Sequence, residues 1–134
     1  MKTVKMIEFA EAHALLQACK AKSEEMGIPV SVAILDGSGN TVLIARLDDA
    51  PFQTPEVARG KALTAVMMRR SSHEVEESTL NRVTLASFHD ARLPIQGGLP
   101  LFSGDACVGA IAASGGTPVQ DETIAKAGAD VFVG

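Results

Sequence analysis

The chain has 134 residues, 46% of them apolar and 21% charged, the proportions of a single folded domain (1–134) rather than a disordered chain or a coiled-coil rod. Aromatic residues make up only 4%, with no Trp or Tyr, so Val, Ile, Leu, Met and Ala must fill the core, and base-stacking platforms are disfavoured. The 12 basic residues are scattered through a chain of net charge −4, which argues against a nucleic-acid partner.

Lys2, Lys5, Glu8 and Glu11 interrupt the stretch that a signal peptide would keep apolar, and no apolar run is long enough to span a bilayer. With Cys19 and Cys107 alone, and no CxxC or Cys/His cluster, neither a disulfide framework nor a protein-only metal site is expected. These features predict a soluble cytoplasmic protein with no membrane partner.

Along the chain, Phe9, Ala12, Leu16, Cys19, Ser23 and Met26 recur at spacings of three and four, which predicts an amphipathic helix from Ile7 to Met26. Gly27 suits its C-terminal cap, and Pro29 blocks continuation. Val30, Val32, Ile34 and then Val42, Ile44 alternate on either side of Asp36-Gly37-Ser38-Gly39-Asn40, the pattern of a β-hairpin. Ala33, Leu35 and Leu43 make its second face apolar too, so the sheet should be covered on both sides.

Thr54-Pro55 reads as a cap followed by a first-turn proline, opening a helix with Ala58, Ala62, Ala65 and Val66 on one face. From Ser71 to Phe88 no strong period emerges, and Ser71-Ser72-His73-Glu74 could start a short helix. The segment reads as a mobile connection with some helix. Leu99–Phe102 and Cys107–Ala113, joined at Ser103-Gly104-Asp105, predict a second hairpin. Thr117-Pro118-Val119-Gln120 is a capping box opening a last helix to about Val131.

The junction Ser114-Gly115-Gly116-Thr117, followed by Gln120 and Asp121, carries the strongest chemical signal and admits two readings. Glycines and the free N–H groups of a helix start can cradle an anion such as a carboxylate. They also make a tight turn with no ligand at all. Gly97 and Gly98 are a second glycine pair, suited to a bulge or a close approach. Lys61 or Arg92 could pair with a ligand carboxylate or serve catalysis, or each could be an ordinary solvated charge. His13, His73 and His89 form no metal-binding pair, although a single histidine can ligate haem iron. Asp121 and Glu122 read most simply as complements to the helix dipole.

The segment GGLPLFSGDACVGAIAASGGTPVQDETIAKAG, together with PVSVAILDGSGNTVLIARLDDAP and VARGKALTA, resembles the GlcG/HbpS family, also described as haem-degrading or PduO C-terminal domain-like, over nearly the whole chain. The resemblance implies an α+β fold of profilin-like α/β/α type, a central antiparallel sheet flanked by helices, and assembly into homo-oligomers. It implies a small-ligand-binding protein, with haem as the best-named ligand and His13, His73 and His89 as axial candidates. The alternative is a cofactor-free lyase or isomerase acting on a small carboxylic acid through Lys61 or Arg92. In either case the expected contacts are Gly97, Gly98, Ser114, Gly115, Gly116, Thr117, Gln120 and Asp121.

Overall fold

The computed structural model describes residues 1–134. In chain order it contains α1 (Phe9–Met26), β1 (Ser31–Asp36), β2 (Thr41–Arg46), α2 (Thr54–Met68), α3 (Ser72–Asn81), a 3₁₀ turn (Val83–Ala86), β3 (Gly98–Ser103), β4 (Ala106–Ser114) and α4 (Pro118–Ala129). The strands form one sheet in the order β2-β1-β4-β3, with every neighbouring pair antiparallel. Both expected hairpins are present, and they join where β1 pairs β4 from Ser31↔Ser114 to Asp36↔Gly109.

Alternation along β1 sends neighbouring side chains to opposite faces. Val32 and Ile34 pack with Leu15, Cys19, Ile111 and Ile124, under α1 and α4, whereas Ala33 and Leu35 pack with Ala58, Ala62, Val66 and Ala112, under α2. The sheet is therefore covered on both sides, the α/β/α arrangement of an α+β fold. In β4 the alternation breaks: Val108 and Ile111 lie on the same side, because the register against β3 slips between Leu101 and Phe102. An extra residue in one strand produces this bulge.

Four local expectations need correction. The buried face of α1 is Ala12, Leu15, Cys19 and Ser23, while Phe9 is 61% exposed. Ile7, just before the helix, fills the end of the core and donates its N–H to Val108 O at 3.0 Å, which leaves the Phe9 ring outside against His13. Thr54 does not cap α2: its hydroxyl donates to Pro51 O at 2.7 Å and bonds Ser31 Oγ at 2.8 Å. The stretch after Ser71 is more regular than expected, with the Ser71 hydroxyl accepting from Glu74 N–H at 3.2 Å to open α3. Only Ser72 and Val75 of that helix are buried, so its apolar period is weak. Finally, α4 ends at Ala129. No helix is long and apolar enough to cross a membrane.

Residues from Gly60 to Val66 of α2 are all buried, so this helix is enclosed on the side away from the sheet as well. Leu93 N–H donates to Gly60 O at 2.9 Å, and a β-carbon at Gly60 would sit 2.6 Å from the Leu93 side chain. The segment leading into β3 is thereby pressed onto α2.

Candidate functional site

The start of α4 is capped as expected: Thr117 Oγ1 accepts from Gln120 N–H at 3.3 Å, and Gln120 Oε1 accepts from Thr117 N–H at 2.9 Å. One turn inward, Asp121 lies on the buried face of α4 beside Ile124, Ala125 and Gly128. Its Oδ1 accepts from Gly116 N–H at 2.8 Å and its Oδ2 accepts from Lys61 Nζ, also at 2.8 Å. Lys61 Nζ donates in addition to Ala113 O at 3.1 Å. The two side chains are 3% and 4% exposed. The anion that the glycine turn and helix start favour is supplied here from within the chain.

The glycine pairs make room for this arrangement. Gly97 has φ +137°, and a β-carbon there would come within 2.8 Å of Lys61 Nζ and 2.9 Å of Ala113 O. A β-carbon at Gly98 would strike the Lys61 backbone carbonyl, and Gly98 N–H donates to Ser72 Oγ at 2.8 Å. Gly115 has φ +149°, a region that glycine enters far more easily than other residues, and its backbone lies against Pro29 and Val30. One turn beyond Lys61, the fully buried Thr64 hydroxyl has no hydrogen-bond partner.

The structure thus brings Lys61, Gly97, Gly98, Ser114, Gly115, Gly116 and Asp121 into one cluster, with Thr117 and Gln120 at its rim. Arg92 belongs to a separate arrangement. Its guanidinium donates to both Asp90 carboxylate oxygens, at 2.6–3.0 Å, and stacks 3.9 Å from the centre of the Phe88 ring. The Arg92 side chain holds the Asp90 carboxyl below its ordinary value of 3.8.

The three histidines are dispersed. His13 is exposed on α1, with the Phe9 ring 5.9 Å away and Gln17 Nε2 at 3.3 Å. His73 faces Glu77 at 3.2 Å and Glu76 at 3.8 Å, and His89 is exposed beside Asp90. No three His, Cys, Asp or Glu side chains converge as a metal site. The four main surface cavities are lined by other residues than the Lys61–Asp121 cluster.

The partnership of Lys61 with Asp121 was not anticipated, although the sequence carries a signal for it. Lys61 falls among Ala58, Ala62 and Ala65 on one apolar face, and Asp121 falls in phase with Ile124, Ala125 and Gly128 on another. A charge in phase with a buried stripe must find a counter-charge or leave the stripe.

Residues 7–130 match the family model described as haem degrading protein HbpS-like. The chain is 34% identical over 130 residues to a 15.0 kDa protein from the dhaT-dhaS intergenic region of Citrobacter freundii, covering 94% of this chain and 92% of that one. The crystal structure of an HbpS double mutant from Streptomyces reticuli superposes with a TM-score of 0.95 at 30% identity, over 100% of this chain and 92% of that one. A PduOC:haem complex superposes with a TM-score of 0.87 at 26% identity, over 95% of each chain. The family model spans nearly the whole chain, and the solved relatives share its fold from end to end: this chain belongs to the HbpS-like family.

Proposed function

We propose that the protein is a small-ligand-binding member of its family whose ligand is haem. The observation that carries this reading is the likeness to the PduOC:haem complex over nearly the full length of both chains. Haem needs an accessible imidazole beside apolar surface, with cations within reach of its propionates. On α1, the exposed His13 has the exposed Phe9 one turn before it, the partly exposed Leu16 one turn after it, and, a further turn on, Lys20, whose exposed 3.9 Å pairing with Glu24 is loose enough to exchange for a propionate. His73 and His89 have carboxylates as neighbours, which oppose a dianionic ligand. Haem would supply an iron that accepts one imidazole nitrogen, and the chain would supply His13, a flanking aromatic ring and a lysine.

A lyase or isomerase working through Lys61 is disfavoured, because an ammonium held by Asp121 and Ala113 O offers no electron pair to a substrate. Self-association into homo-oligomers is part of the proposal, supported by the exposure of Phe52 at 92%, Leu80 at 79% and Val83 at 75%. Two buried free thiols support a reducing compartment such as the cytoplasm.

Haemin titration tests the reading. A saturable Soret shift is expected, altered by His13→Ala and left largely intact by His73→Ala and His89→Ala. Light scattering on the same samples should give a mass above that of one chain. A shift that never saturates, or that an unrelated acidic protein reproduces, overturns haem as the ligand.

A further inference from the structure

A different group of charges lies away from the Lys61–Asp121 pair and from all three histidines. A cavity of about 420 Å³ opens between the N-terminal segment, the end of α2 and the β3–β4 turn, and Lys2, Lys5 and Arg69 line it with a single carboxylate residue, Asp105. None of the three cations has a carboxylate within 4.0 Å; Arg46, Arg59 and Arg82 are likewise unpaired but do not line this cavity, whereas the other six basic residues are paired. In a chain of net charge −4, three unpaired cations around one opening concentrate positive potential where the overall composition opposes it.

Two backbone features fix the chain close to Lys5 and at Arg69. Lys2 and Lys5 precede Ile7, whose side chain is in the core and whose N–H bonds Val108 O at 3.0 Å. Arg69 caps α2 with φ 54° and ψ 37°, a left-handed conformation that glycine adopts freely and side-chain-bearing residues resist. Complementing the dipole of α2 does not require an arginine there, because Arg70 is already present beside it, paired with Glu74 and Ser78. Arg69 is instead one of the residues that line the cavity.

We propose that this cavity binds a small multivalent oxyanion: inorganic phosphate or the phosphate end of a small organic molecule. The planar fork of Arg69 suits two phosphate oxygens, and the two lysines add mobile point charges. The site is independent of the haem reading, since no axial candidate lines it.

The test is titration of ¹⁵N-labelled protein with inorganic phosphate, pyrophosphate and phenyl phosphate. Saturable shifts are expected at Thr3, Lys5, Arg69 and Asp105, with pyrophosphate binding tighter than phosphate and all binding weakening as sodium chloride is raised. Phenyl phosphate binding tighter than phosphate identifies a phosphorylated organic molecule as the better fit; equal binding identifies the free anion. Arg69→Gly should weaken pyrophosphate binding about tenfold or more, the loss expected for one forked charge-assisted contact. Its thermal midpoint should stay level or rise, because glycine relieves the left-handed cap. Arg69→Gln, which keeps the side-chain stem, should show the same weakening. Shifts that do not saturate, shifts spread over remote lysines such as Lys22 and Lys126, or wild-type affinity in both variants would each overturn the site.

Discussion

Replacing Asp121 by Asn keeps the side chain's size and an oxygen for Gly116 N–H, yet removes the counter-charge 2.8 Å from Lys61 Nζ. At that distance the Coulomb attraction is about 6 kcal/mol for an effective dielectric near 20, most of it offset by the cost of desolvating both ions. The pair is therefore worth little compared with well-packed apolar residues. Breaking it is different, since the ammonium would stay 3% exposed with only the Ala113 carbonyl as partner. Uncompensated buried charges of this kind cost about 3–5 kcal/mol, a large part of the roughly 5–15 kcal/mol that holds a domain together.

Asp121→Asn should thus lower the urea midpoint strongly and the thermal midpoint by roughly 10–20 °C for a domain of this size. Adding Lys61→Met removes the stranded charge and replaces the lysine stem with apolar volume. The double variant should therefore be more stable than Asp121→Asn alone, by about 1–3 kcal/mol. Urea unfolding followed by circular dichroism, with equal slopes across the four proteins, measures the cycle. If the two substitutions add, or if Asp121→Asn costs less than about 1 kcal/mol, within the range of an exposed pair, the argument for a buried structural ion pair is refuted.

Two further outcomes follow from close packing and burial. A β-carbon at Gly128 would lie 2.6 Å from both Cys19 Sγ and Ile111 Cδ1, so Gly128→Ala should force α1 and α4 apart and lose about 1–3 kcal/mol net despite the better helix propensity of alanine; a higher melting temperature would contradict this. Burial pushes the Cys19 thiol up from 9.0 to about 12, so the folded protein retains this proton when the unfolded chain has lost it. Its contribution to stability is complete below pH 9 and is lost between there and pH 12. Alkaline unfolding should be less steep in Cys19→Ala, and an unchanged alkaline limb would count against the assignment.

The amino-acid sequence on its own determined the order of elements, both hairpins, the capping box at Thr117 and the sheet buried on two faces. These rest on short-range causes: side-chain period, proline and glycine geometry, and the hydrogen bonds of a helix start. Local rules went astray where a distant group competed for the same residue. Ser31 and Pro51 took the Thr54 hydroxyl from its capping role, and Ile7 displaced Phe9 from the core. The fate of Lys61 shows the division most clearly. Its position in a helix of small residues was legible, but whether its charge faced a ligand or a carboxylate 60 residues away depended on how α2 and α4 meet across the end of the sheet. Only the tertiary structure decides that, because an ion is stabilised by what surrounds it in space, and chain separation carries no information about that distance.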